Sequence, residues 1–330
     1  MSGSSQQGMT EAVNSVAPTR VGPLRRLLPW MVSAAVVIWL LWPYRTADGR
    51  AILFDAFARA SKWTIVVAWT ATLLVWLTDS YATARTFQRW GTKIGLGETC
   101  LVRGATALFD AINPALGQAV LTLVMHGRGI ALARALVVII LMNVIFLVHI
   151  ALVSAIGLFT HTSSDDSIVP LFVGAALALT AVYLTVVALR PRALARYPTA
   201  DWLMKAGLKG HAQAFLYRLP NMVVLIGAQY AFMRCFGVDL PVSVALLYLP
   251  TVMFISGMPI SVQGVGPGQV AAVTFFARYV DADSAAAEAT VIASGLAGTA
   301  LVTMGAAIVG LICVSTPTGR QSIAAMRARK

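Results

Sequence analysis

The sequence predicts an all-α polytopic membrane protein, with about six full spans and two re-entrant helical hairpins arranged as an inverted repeat. Three observations carry that expectation. Mean hydropathy is +0.77, with 58% hydrophobic residues and only 12% charged ones, against about 25% charged in soluble domains. Residues 167–189, 240–277 and 289–319 contain no Asp, Glu, Lys or Arg, whereas a crossing needs roughly 20 apolar residues. The basic residues, finally, gather in alternate loops. A soluble chain of this size could not hide so much apolar surface in one core.

The chain opens with a polar, small-residue segment, 1–24, expected to be a disordered cytoplasmic tail. Its first basic cluster, "RVGPLRR", directly precedes a membrane-length run, so a cleavable signal peptide is not expected. One integral membrane domain, 25–315, follows, and a basic cytoplasmic tail, 316–330, closes the chain. The expected full spans are 27–43, 63–80, 135–159, 168–189, 212–236 and 286–314. Segment 44–62 mixes Ile52, Leu53, Phe54 and Phe57 with Asp55, Arg59 and Lys62, which fits a helix lying in the outer interface or a plain outer loop.

Two further apolar regions, 99–125 and 243–278, are interrupted. In the first, Pro114 lacks an amide donor and disfavours helix at Asn113, and Gly117 permits a tight turn. A helix ending near Ile112, a turn through "NPALGQ" and a second helix from about Ala119 are expected. In the second, Pro259, Gly264, Gly266, Pro267 and Gly268 interrupt a helix near Gly257, and a new helix is expected from Gln269. Both breaks place Gly-Gln, at 117–118 and 268–269, before a resumed apolar helix. Unsatisfied backbone in hydrocarbon costs several kcal/mol per group, roughly, so such breaks belong inside protein or against a wet chamber.

Charge sets the orientation. With both termini cytoplasmic and both interrupted regions re-entrant, the cytoplasmic pieces 1–26, 81–98, 126–134, 190–211 and 315–330 hold 17 of the 25 Lys and Arg. The outer pieces hold four, all in 44–62, and the outer loop 160–167 has two Asp and no base. That is the positive-inside pattern. The net charge of +12 is therefore read as topology, and nucleic acid is not an expected partner.

Ionisable groups inside apolar segments mark candidate sites. Arg103 and Arg218 are the candidates for an anionic headgroup, because a guanidinium holds phosphate through a bidentate fork. Asp110 lies two turns from Arg103 on one face, too far along the helix for a direct pair, and is a candidate for binding a cation or balancing an arginine. Asn113, Gln118, Ser261, Gln263 and Gln269 can donate and accept hydrogen bonds and complete the candidate substrate-binding set. Asp79 is expected at an interface, and His149 as a packed, hydrogen-bonded side chain. Cys100, Cys235 and Cys313 have neither disulfide nor zinc spacing and read as apolar filler. Gly295–Gly298 and Gly305–Gly310 permit close helix contact, within the chain or between copies. No phosphate-binding loop, dinucleotide fingerprint or metalloprotease motif is present, so a transporter is expected rather than an enzyme, with no cofactor and no metal.

The stretch "PIS…GVGPGQ" resembles the "PxSxGGxGxxE" stretch of the lysylphosphatidylglycerol synthase/flippase transmembrane region family, and "NPALGQAV" resembles that family's "PGxxGE" hairpin. The resemblance covers roughly residues 25–315. It implies a multi-pass bacterial inner-membrane protein that moves aminoacylated phospholipids, isoprenoid-linked sugars or hopanoids between leaflets through a lipid-accessible cavity. Membrane lipids are then the expected partners, with lipid-modifying enzymes or a second copy of the chain as others. The aminoacyl-transferase domain of larger members is not expected after residue 315. The chain departs from the pattern at Gln118 and Gln269, where the family favours Glu, so a role for an acid there does not carry over. Two other functions fit the residues alone: a secondary transporter of a small soluble solute, and an accessory subunit that organises lipid-modifying enzymes.

Overall fold

A computed structural model describes residues 37–110, 114–160, 168–257 and 266–317, together with Met31, Ala35 and Arg320. The described chain is helical, with one isolated bridge between Val238 and Val280. Among the described residues four helices are long and apolar enough to cross a bilayer: α2, Thr64–Arg89; α5, Leu132–Thr160; α6, Ile168–Leu189; and α10, Ser284–Ser315. The polytopic all-α reading therefore holds. Residues 27–30, 32–34 and 36 of the expected first span, 27–43, lie outside the described residues.

Segment 44–62 forms a helix rather than a plain loop. A turn of 3-10 helix, Trp42–Arg45, leads into α1, Ala47–Ala58. The Thr46 hydroxyl caps α1 by accepting from the Gly49 amide at 3.1 Å, the usual way to satisfy an orphan first-turn donor. Its inner side, with Ala56, packs on α10, and Tyr44 Oη donates to the Ala285 carbonyl at 3.2 Å. Phe54 points outward, 71% exposed.

The interrupted regions form two helical pairs. α3, Leu96–Asp110, packs on α4, Pro114–Gly127, and α8, Val242–Gly257, packs on α9, Pro267–Phe276. Both second arms start earlier than the sequence suggested. α4 begins at Pro114 rather than near Ala119, and α9 begins at Pro267 rather than at Gln269. In each case proline is the first helical residue, where its missing N–H is no loss and its fixed φ suits the helix. Pro114, Gly117, Pro267 and Gly268 thus belong to the resumed helices. Gly266, at φ 112°, turns the chain into α9. Asn113, Pro259, Ser261, Gln263 and Gly264 lie outside the described residues.

Between the pairs runs α7, Pro198–Cys235, longer than the expected 212–236 span. It is two helical segments joined at Gly207, whose φ of 61° is open to glycine. His211 Nδ1 donates to the Gly207 carbonyl at 2.8 Å, and its Nε2 accepts from Tyr183 Oη of α6 at 2.6 Å. A carbonyl only accepts, so the Gly207 contact places a proton on Nδ1.

Small residues bring the helices together. All four glycines singled out in α10 serve contacts within the chain: Gly295 faces Gln269, Gly298 faces Phe232, Gly305 faces Thr72 and Gly310 faces Leu108. On α5, Gly157 lies against the backbone of Leu246 and Leu247 in α8. Two main apolar cores result. One gathers Phe87, Val102, Leu121, Met125 and Val138 around α3 and α4, and the other gathers Leu247, Tyr248, Phe276 and Ile292 around α8 and α9.

Gly157→Val would drive its side chain into backbone that cannot rotate away. It should destabilise the protein by at least about 1–3 kcal/mol, read as a lower thermal-unfolding midpoint in detergent. Gly174→Ala, which meets open space, should leave the midpoint unchanged or higher.

Candidate functional site

Four ionisable side chains meet where α2, α3 and α7 pack together. Asp79, in the C-terminal half of α2, is only 9% exposed. Arg103 of α3 donates from Nε to Asp79 Oδ2 at 2.6 Å, and its Nη2 lies 2.6 Å from the same oxygen. Arg218 of α7 reaches Asp79 Oδ1 with Nη1 at 3.4 Å. Arg103 Nη1 lies 3.6 Å from Asp110 Oδ2 at the end of α3. Two acids and two bases make a quartet of zero net charge.

This arrangement corrects two expectations. Asp79 is buried among helices rather than exposed at the end of one, and it is the carboxylate that bridges both arginines. Arg103 and Asp110 do pair, because the arginine side chain bridges much of the roughly 10 Å that separates residues two turns apart. The signal for Asp79 was present in the sequence: it is the lone acid between residues 56 and 97, in a span whose neighbours carry two buried bases.

Asn221, one turn beyond Arg218 on α7, was also missed. Its Nδ2 donates to the Val75 carbonyl at 3.3 Å and to Thr78 Oγ1 at 3.2 Å, fixing α7 on α2. Arg218 also places its guanidinium carbon 5.4 Å from the centroid of the Phe146 ring on α5, a cation–π contact. His149 sits next to it on α5, 1% exposed, donating from Nδ1 to the Ile145 carbonyl at 2.8 Å and stacked on Phe215 with ring centroids 3.9 Å apart. It is the packed histidine the sequence suggested. Around the quartet Arg103 Nη1, Arg218 Nε, Ser80 Oγ, Thr83 Oγ1 and Asn221 Oδ1 are buried polar atoms without a hydrogen-bond partner among the described residues.

The Asp110 carboxyl rests on Gly117, in the first turns of α4; a Cβ there would collide with it. The carboxylate therefore sits at a helix N-terminus, where the macrodipole favours negative charge. At the other hairpin the Ser256 hydroxyl rests in the same way on Gly268. Gln118 follows Gly117 on α4. Gln269 follows Gly268 and is 8% exposed, with its amide against Gly295 of α10 and its Oε1 unpartnered. Among the described residues no hydrogen bond joins either glutamine to the quartet. Of the candidate residues, then, Arg103, Asp110 and Arg218 come together, whereas Gln118 and Gln269 mark the two hairpins. No group of three His, Cys, Asp or Glu among the described residues could hold a metal ion, and the three cysteines are unbridged.

Several apolar helices around a buried, charge-balanced quartet define a polytopic helical membrane protein. Residues 26–305 match the family model described as the lysylphosphatidylglycerol synthase transmembrane region. The chain belongs to that family. No curated protein matches it in addition.

Removing one member of a buried ionic group leaves its partners uncompensated. Asp79→Asn should cost about 3–5 kcal/mol, seen as a lower unfolding midpoint and a smaller monodisperse fraction. The double substitution Asp79→Asn/Arg218→Gln, which restores charge balance, should recover part of the loss. Asp55→Asn, in the exposed pair with Arg59 on α1, should leave the midpoint unchanged.

Proposed function

We propose that this protein moves a lipid with an anionic or amphiphilic headgroup between the leaflets of a bacterial inner membrane. Aminoacylated phospholipids, isoprenoid-linked sugars and hopanoids are the candidate classes. The observation that carries the reading is the quartet, a place inside apolar helices that offers partners of both signs. Its arginines suit a phosphate and its carboxylates an ammonium, and an aminoacylated phospholipid carries both. A phosphate arriving at Arg103 and Arg218 would compete with Asp79 for the same donors, so the empty state keeps its charges balanced while substrate is absent. Acyl chains stay in lipid, which avoids about 0.8 kcal/mol for every CH₂ exposed to water.

The packing order supports re-entrant hairpins and an inverted repeat. α3, α4, α8 and α9 have 15, 14, 16 and 10 residues. At about 1.5 Å per residue none spans a roughly 30 Å hydrocarbon core. Each hairpin lies between α5 and α10: α3 packs on α10 and α4 on α5, whereas α8 packs on α5 and α9 on α10. Exchanging α2, α3, α4 and α5 for α7, α8, α9 and α10 carries each of these pairs into another pair. The Asp110–Gly117 and Ser256–Gly268 contacts correspond in the same exchange. Transporters built on such repeats place their sites near the midplane, where the broken helices meet. Gln118, Gln269, Asn113, Ser261 and Gln263 are proposed to line the headgroup's path, with both termini cytoplasmic.

The test is leaflet exchange in proteoliposomes, using labelled lysyl-phosphatidylglycerol, phosphatidylglycerol, an isoprenoid phosphate sugar and a hopanoid against empty liposomes. Faster exchange of one lipid, reduced at least about tenfold by Gln118→Ala or Arg103→Ala, a rise of about 1.4 kcal/mol in the barrier, is the expected result. Unaccelerated exchange of every lipid by folded protein, under several ion gradients, would overturn the reading in favour of a soluble-solute transporter or an accessory subunit. The orientation has its own check. With the native cysteines replaced, Lys93→Cys should react with an impermeant maleimide only from the cytoplasmic side, and Lys62→Cys only from the opposite side.

A further inference from the structure

A second polar site lies away from the quartet, where the end of α2 meets the first segment of α7 and the start of α5. Arg89, Trp90, Trp202, Lys205, Ala206 and Gly210 line a pocket of about 210 Å³. The two indoles stack, with centroids 6.3 Å apart and planes inclined by 28°. Arg134 of α5 lays its guanidinium over Trp202, 5.3 Å from the ring centroid. Its Nε is buried and has no hydrogen-bond partner among the described residues. Arg89 spends Nε on Gln213 Oε1 at 2.6 Å, which holds the side chain in place with its other donors still available. Lys205 is paired with Asp201 at 2.6 Å, the acid seen at this site. Three cations face one carboxylate, so the site carries a net positive charge.

From this geometry we infer that the pocket binds a phosphate group, specifically the headgroup of an anionic phospholipid such as phosphatidylglycerol in the adjoining leaflet. The chemistry is specific in three respects. A guanidinium stacked on an aromatic face keeps its edge free for bidentate contact with a phosphate oxygen pair. Stacked tryptophans settle at the headgroup level, where an apolar body and a polar N–H are both satisfied. Arg89, Lys205 and Arg134 all lie in or beside the basic pieces 81–98, 190–211 and 126–134, where the surface of an anionic leaflet attracts them. The inference needs only that α2, α5 and α7 sit in a bilayer. It goes beyond transport, because occupancy is read without any exchange of lipid.

The full-length protein is reconstituted in vesicles of phosphatidylcholine containing a rising mole fraction of either brominated phosphatidylglycerol or brominated phosphatidylcholine. Quenching of the Trp90/Trp202 fluorescence, defined as the part lost in Trp90→Phe/Trp202→Phe, reports headgroup-proximal contact. Brominated phosphatidylglycerol should quench at a lower mole fraction than brominated phosphatidylcholine. Arg89→Gln/Arg134→Gln should raise that midpoint by about 25-fold, roughly five-fold for each charge removed. If this double variant fails to fold, Arg89→Gln/Lys205→Gln, at two surface side chains, carries the same expectation. Millimolar inorganic phosphate, compared with chloride of equal ionic strength, separates the sources. Reversal of quenching by phosphate alone would support the phosphate chemistry with a free anion as the occupant, and no reversal would support the lipid. Equal quenching by the two lipids, or an undiminished preference in a folded double variant, would overturn the inference.

Discussion

A carboxylate shared by two arginines, inside helices that face lipid, sets the terms for the rest of this structure. Ions brought into a low-dielectric interior are tolerated only when they are paired and further hydrogen-bonded. Asp79 meets that condition by using both oxygens, one on Arg103 and one on Arg218. The pairing forces α2, α3 and α7 into one contact, and Asn221 adds two hydrogen bonds from α7 to α2 at the same level. For Arg103 to lie there, α3 must approach α10 closely. Gly104 and Gly310 allow it: a Cβ on Gly104 would run into Cys313, and one on Gly310 into Leu108.

The first hairpin is tied to the quartet by a different device. Asp110 closes α3, reaches Arg103 and rests on Gly117 at the start of α4. One side chain therefore joins the charge balance to the fold of the break. The second hairpin has the same close approach, Ser256 on Gly268, with a hydroxyl in place of the carboxylate and no ionised residue from 240 to 277. The two helical pairs thus share a close contact and differ in its charge. On the proposed function, a headgroup passing between them would meet ions on one side and amides and hydroxyls on the other.

The comparison of sequence and structure turns on particular residues. Four of the long apolar spans, the two breaks and the family were legible because each rests on local signals: apolar runs of membrane length, and Pro and Gly inside them. The helix starts at Pro114 and Pro267 were displaced because proline was read as a stop, although in a first turn it serves as a start. Asp79 was placed at an interface because it follows an apolar run. Its role depends on Arg103 and Arg218, 24 and 139 residues away, and no local pattern encodes that meeting.

By itself, the sequence determined that this chain enters a membrane and where its long apolar runs are broken. These follow from the transfer of side chains and peptide groups between water and hydrocarbon, a property of each segment alone. Only the tertiary structure decided which charges cancel, that the α10 glycines serve contacts within the chain, and that Trp90, Trp202 and Arg134 gather at one pocket. Those outcomes depend on distances between segments far apart in the chain, and electrostatic pairing and close packing act only once the helices have been brought together.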